Sequence, residues 1–115
     1  MPSDCLFCRI AAKEIPATIA YEDADVVAFH DVAPQAPVHV LLVPRRHVAR
    51  VSDLQAADAP MISRLVMTAN QLARTLGVAE AGYRLVMNCN AQAGQSVYHV
   101  HLHLLGGRPM RWPPG

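Results

Sequence analysis

From His99 to Leu104 polar and apolar side chains alternate one for one, and every polar one is histidine: His99, His101 and His103, with Val100, Leu102 and Leu104 between and after them. In an extended chain successive side chains leave on opposite faces, so positions i, i+2 and i+4 share a face. The run predicts a strand over 97–105, opened by Val97 and Tyr98 and stopped at Gly106 and Gly107. A helix would spread the three rings around its axis. The chain must therefore build a sheet with one face in an apolar core and three imidazoles in a row on the other.

The other elements follow from the same period rules. Ile19–Glu22, Val26–His30 and 38–43 read as strands, with a polar turn at 22–25 and Pro44 ending the third. A fourth strand is expected over 83–88. Asp4 is placed to cap a short helix from 5 to about 13, with Leu6, Phe7 and Ile10 on one face and Pro16 as its limit. One long helix is expected from Ser52 or Asp53 to Leu76, where Leu65, Ala69, Leu72 and Leu76 recur at helical spacing and Gly77 supplies the stop. Pro60 suits the first turn of that helix better than its interior. The loop at 31–37 holds Pro34 and Pro37, which exclude both helix and central strand. Short connections of about eight and about ten residues flank the third and fifth strands and suit antiparallel pairing. The fold class is α+β: a five-stranded, mainly antiparallel sheet with one short and one long helix. The tail RPMRWPPG, with three prolines, forms no regular element and is expected to pack on something.

At 115 residues the chain is expected to form one domain over 1–115. A formal charge of +1 gives no reason to expect a nucleic-acid surface. No apolar run approaches the roughly 18 residues of a membrane span, and the N-terminus lacks a long apolar segment of the signal-peptide type. Three cysteines without such a signal fit a reducing, cytoplasmic setting.

Alternating histidines admit three readings: surface residues on a half-exposed strand, a metal cluster, or a nucleophile with supporting rings. The spacing alone leaves metal and nucleophile open. A hydrolase using all three as metal ligands is disfavoured, because no carboxylate lies near the row in sequence.

The wider segment narrows the choice. GQSVYHVHLHLLGG resembles the active-site strand of the histidine-triad (HIT) nucleotide-binding proteins, with their motif His-φ-His-φ-His-φ-φ, φ being apolar. IAYEDADVVAFHDVAPQAPVHVLLVPRRH at 19–47, GYRLVMN at 82–88 and the closing WPPG are similar to the Hint-like branch, so the resemblance covers nearly the whole chain. It implies nucleotidyl chemistry at an α-phosphorus through a covalent nucleotidyl-histidine. His101 is the implied nucleophile, His99 lends its carbonyl to that ring, and His103 donates to phosphate or leaving group. Ser96 and Gln95 match positions lining phosphate and leaving group, and Asn88 and the amides around Gly94 and Val97 match phosphate contacts. Asp31 matches the acidic residue that accepts both ribose hydroxyls. Leu6, Phe7, Ile10, Phe29, Val32 and Leu41 match the apolar base pocket, although each also reads as plain core. His39 is either part of the site or a satisfied core histidine.

Cys5-x-x-Cys8 supplies two of the four ligands a closed zinc site needs. Several branches of the family resemble this chain in pairing two such cysteines with an upstream histidine and the first triad histidine, which implies Cys5, Cys8, His47 and His99 as a structural zinc site. No catalytic metal is implied, and Cys89 has no partner in this scheme. The implied activity is a purine nucleoside phosphoramidase releasing AMP or GMP from phosphoramidates or adenylates. A dinucleoside-polyphosphate hydrolase and a non-catalytic regulatory nucleotide binder are the alternatives. The resemblance also implies a homodimer joined through 83–88 and the long helix, with Trp112 reaching the partner's site. The alternative packs Trp112 on its own domain.

Overall fold

The computed structural model describes residues 4–115. Five strands form one antiparallel sheet in the order β1 (Ile19–Glu22), β2 (Val26–His30), β3 (Val38–Pro44), β5 (Leu102–Gly106), β4 (Tyr83–Val86). The seventeen-residue helix α2 (Ala59–Thr75) covers one face, and the six-residue helix α1 (Leu6–Ala11) covers part of the other.

The alternation seen in the sequence divides the two faces. Val40 and Leu42 of β3 and Leu102 and Leu104 of β5 pack with Val26, Ala28, Leu65, Ala69 and Leu72 in the core beneath α2. Odd-numbered residues of the same strands look the other way. Val27, Phe29, Leu41 and Val43 meet Phe7 and Ile10 of α1. In register, His103 stands beside Leu41 of β3 and Val86 of β4. It therefore belongs to the face that α1 covers only in part. A sheet sandwiched at one end and open at the other leaves room for a site beside α1.

Several boundaries differ from the sequence expectation. The ladder of β5 begins at Leu102, not 97, because the chain before it turns to meet another segment: Val100 N–H donates to Val48 O at 2.7 Å. β4 ends at Val86. The long helix begins at Ala59. A helix running through from residue 52 would put the Pro60 ring against the carbonyl four residues earlier. The chain instead makes two 3₁₀ turns, Val51–Asp53 and Ala56–Asp58, and Asp58 accepts from Gln55 N–H at 2.8 Å. The cap of α1 is the Cys5 sulfur, which accepts from Cys8 N–H at 3.4 Å, rather than Asp4. At the end of β5, a Cβ on Gly106 would lie 2.8 Å from Val78, and Gly107 turns away at φ +94°. That close approach seats β5 against the loop after α2.

Candidate active site and metal cluster

Backbone carbonyls and one backbone amide fix the proton positions on the rings of the site. His101 Nδ1 lies 2.7 Å from His99 O. A carbonyl only accepts, so Nδ1 carries the proton and Nε2 holds a free lone pair. His101 is buried, with its ring edge-on to Phe7 at 5.0 Å, and Phe7 in turn meets Phe29 edge-to-face. The α1 core thus sets the plane of the His101 ring.

His103 sits 5.0 Å from the His101 ring and 5.2 Å from that of His39. Gln35 N–H donates to His39 Nδ1 at 3.0 Å, so neutral His39 carries its proton on Nε2. That atom lies 2.9 Å from His103 Nδ1 and 3.5 Å from Asp31 Oδ2. His39 therefore donates to His103 Nδ1, and His103 keeps its own proton on Nε2. Burial, with the charges of His101 and His39 added, pushes His103 down to about 4. Burial also lowers His39, against the pull of Asp31. Both rings are neutral at pH 7, and His103 offers one N–H donor.

The same carbonyl logic turns His99 the other way. Its Nε2 donates to Pro44 O at 2.7 Å, leaving Nδ1 unprotonated. Nδ1 faces Cys5 Sγ at 3.3 Å, Cys8 Sγ at 3.5 Å and His47 Nδ1 at 3.2 Å, and Cys8 Sγ lies 3.4 Å from His47 Nδ1. Four donors from three parts of the chain converge within 4.8 Å of one another. A tetrahedral zinc ion, with bonds of about 2.3 Å to sulfur and about 2.0–2.1 Å to nitrogen, sets its ligand atoms roughly 3.3–3.8 Å apart. The cluster has that size. The His99 N–H bound to a carbonyl is also the outer partner that a metal-ligating imidazole needs. The donors fit such an ion.

Asp31, His39 and His103 form a second group with donor atoms equally close. Here the fit fails. A metal on His39 Nε2 would move that ring's proton to Nδ1, opposite the Gln35 N–H.

The residues expected at the phosphate lie on the segment between β4 and β5. Asn90 and Gly94 both adopt positive φ, at +70° and +91°, around the 3₁₀ turn Ala91–Ala93. Ser96 is exposed, and neither Ser96 N–H nor Val97 N–H meets an acceptor among the described residues. Asn88 is half-buried beside them in sequence. The Gln95 side chain faces inward and is spent on the backbone. Of the residues expected at the nucleoside, Asp31 accepts on Oδ1 from Ala33 N–H at 2.8 Å. Phe7, Ile10, Phe29 and Leu41 are core residues, whereas Leu6 is exposed and Val32 wholly so. The sequence left His39 undecided, and it had no means of finding the Val48–Arg50 segment that braces the loop. Val48 O accepts from Val100 N–H, while Arg50 Nε donates to Asn90 Oδ1 at 2.9 Å and its guanidinium lies 5.4 Å from the centre of the Tyr98 ring. Cys89 Sγ lies 3.5 Å from Ser52 Oγ and outside both clusters.

The HIT domain family matches residues 12–110. The chain is 47% identical to an uncharacterized HIT-like protein of Synechocystis over the whole of both chains. It is 44% identical to the purine nucleoside phosphoramidase of Escherichia coli, over 96% of this chain and 92% of that one. Among solved structures, a HIT family hydrolase from Legionella pneumophila superimposes with a TM-score of 0.95 at 51% identity, covering 96% of this chain and 99% of the other.

Proposed function

The chain belongs to the HIT family, and on that footing we propose that it is a hydrolase of purine nucleoside phosphoramidates, releasing AMP or GMP through a covalent nucleotidyl-His101. The observation that carries this reading is the His101 ring, with Nδ1–H held by His99 O at 2.7 Å and Nε2 left as a lone pair. The relative named purine nucleoside phosphoramidase supports the substrate class.

In this mechanism Nε2 attacks the α-phosphorus and the P–N bond breaks. The departing nitrogen takes a proton from water at the exposed Ser96 side and leaves as an amine. Positive charge develops on the His101 ring, and His99 O already faces the N–H that carries it. His103 Nε2–H and the free N–H groups of Ser96 and Val97 take the phosphoryl oxygens, where negative charge gathers. Water then cleaves the P–Nε2 bond, returning neutral imidazole and the nucleoside monophosphate. Asp31 accepts from the ribose hydroxyls, and Asn88, Gly94 and Gln95 shape the phosphate side. Leu6, Phe7, Ile10, Phe29, Val32 and Leu41 border the base, where an apolar slot takes either purine.

Cys5, Cys8, His47 and His99 would hold the structural zinc. With four protein ligands such an ion supplies cross-linking of α1 to the His99 segment and no open position for substrate. A homodimer through the β4 edge is supported by Trp112, which is 83% exposed on a tail that Arg84 pins through Arg111 O at 2.9 Å. One domain over 1–115 in the cytoplasm completes the reading, and no helix among the described residues is long and apolar enough to cross a membrane.

The test is single-turnover release of AMP from adenosine 5′-phosphoramidate by wild type and His101→Ala, with and without chelator. Release by wild type that the variant loses and the chelator spares is the expected result. No release despite measurable AMP binding would move the function to nucleotide binding without catalysis.

A further inference from the structure

Gln95 is 6% exposed, and its carboxamide makes three hydrogen bonds, all to backbone. Oε1 accepts from Asn90 N–H at 2.8 Å. Nε2 donates to Ala49 O at 2.9 Å and to Val97 O at 3.1 Å. The backbone adds a fourth link, Gln95 N–H to Asn90 O at 3.1 Å. Residues 90 and 95 are thus closed into a ring by two bonds in opposite senses. Inside that ring stand Asn90 at φ +70° and Gly94 at φ +91°. A non-glycine residue in that region is strained and persists where its surroundings over-determine it.

A direct nucleotide contact requires a free polar atom, and this amide has spent both N–H groups. We propose that Gln95 is a positioning residue: it ties the 90–97 loop to the Val48–Arg50 segment so that the Ser96 and Val97 N–H groups face the transferring phosphoryl group. This rests on the phosphoryl chemistry proposed above for His101. The physical argument is pre-organisation. Backbone donors stabilise developing charge in proportion to how little they must reorganise when it appears. Asn90 N–H and Val97 O bracket the Ser96 and Val97 N–H groups in the chain, and both are held by the one buried Gln95 carboxamide, which restrains the peptide planes between them. The Ala49 bond makes the brace tertiary, because residue 49 lies two positions after His47 of the metal cluster.

Two measurements on Gln95→Ala and Gln95→Glu test it. The first is turnover of adenosine 5′-phosphoramidate per active site, with AMP affinity measured alongside, and repeated with sulfur replacing a non-bridging phosphoryl oxygen. A lost oxyanion donor costs about 100- to 1,000-fold in kcat, and a misaligned pair should cost about 10- to 100-fold on the same scale. The expected result is that fall in kcat for Gln95→Ala with AMP affinity within about threefold, and a smaller rate ratio between oxygen and sulfur substrates. Gln95→Glu, whose carboxylate opposes two carbonyls, should regain rate as the pH falls and the side chain becomes a donor again. The second measurement is amide hydrogen exchange at Ser96 and Val97 with and without AMP. AMP should protect both amides in wild type and neither in Gln95→Ala.

Raised KM and weakened AMP binding at unchanged kcat would make Gln95 a direct ligand. A lowered Tm with unchanged kcat per active site and unchanged sulfur ratio would make it purely structural. Either overturns the proposal, as does equal AMP protection in wild type and variant. An inactive wild type would sink the phosphoramidase reading alone, since the exchange comparison still decides the role of Gln95.

Discussion

Two histidine clusters sit within a few residues of each other in this fold and do opposite things with the same ring. His99 donates its Nε2–H to Pro44 O and aims a bare Nδ1 at Cys5, Cys8 and His47. His39 accepts a hydrogen bond from Gln35 N–H on Nδ1 and aims its Nε2–H at His103. The donor atoms of both groups lie within 4.8 Å of one another, so proximity does not separate them. The backbone partner of the ring does. A carbonyl behind an imidazole leaves the front nitrogen a bare lone pair, and an amide N–H behind it makes the front nitrogen an N–H donor. His101 lies between the two, its Nδ1 tied to the carbonyl of His99 on one side and its ring edge-on to that of His103 at 5.0 Å on the other.

The largest expected effect comes from emptying the cage. Cys5→Ala removes one of the four proposed zinc ligands and the cap of α1 together. A cap alone is worth about 1 kcal/mol, and losing a structural zinc site costs several times that on the scale of about 10 kcal/mol known for small zinc domains. The expected outcome in differential scanning fluorimetry is a Tm drop on the order of 10 °C or more. Chelator should lower wild type towards the variant and leave the variant unmoved. Activity per folded molecule should fall much less than stability does. Full stability with chemistry lost would break the distinction between cage and site.

The proton chain gives the next effect. His39→Leu removes the donor to His103 Nδ1 and frees that ring to choose either tautomer. The kcat should fall about tenfold, the scale of one hydrogen bond of about 1.4 kcal/mol, while metal content per chain stays as in wild type. Loss of metal in this variant would merge the two clusters into one. Asp31→Ala sharpens the other end of the chain. Ribonucleotide affinity should fall about tenfold, by one to two hydrogen bonds to a carboxylate, with a smaller loss for a 2′-deoxynucleotide, which keeps only the 3′-hydroxyl. Equal losses for both sugars would remove Asp31 from the ribose.

How much of this was legible in the sequence depends on which contacts are periodic. The alternation through Leu102 and Leu104 told the face of β5, and the order of turns and prolines told an antiparallel α+β sheet. Pro60 marked the true start of α2, although the 3₁₀ turns before it carry no such signal. Cys5-x-x-Cys8 offered half a cage, and its other half, at His47 and His99, came only from resemblance. What could not be read is the partner of each polar side chain. Gln95 and Ser96 are neighbours in a polar loop, yet one is buried among carbonyls and the other is exposed. That choice is made by Ala49, forty-six residues away. Val32 looks like Leu41 in composition, yet it lies in the proline loop, where no strand turns it inward.

The smallest expected effect separates the two clusters by pH. His39 and His103 have their pKa values lowered in the folded chain, His103 from an ordinary 6.5 to about 4. Between those values the unfolded chain binds protons that the folded chain refuses. Stability therefore rises with pH across that window and is lost as the pH falls from about 6.5 towards about 4. Acid also protonates cage ligands, so wild type alone cannot assign the loss. His103→Asn removes one titrating ring and leaves Cys5, Cys8, His47 and His99 intact. Its Tm should drop less than that of wild type between pH 7 and pH 5, by a few degrees at most on the scale of about 1 kcal/mol. Identical drops in the two proteins would mean that the acid response comes from the cage alone and that the His39–His103 pair does not resist protonation as its burial requires.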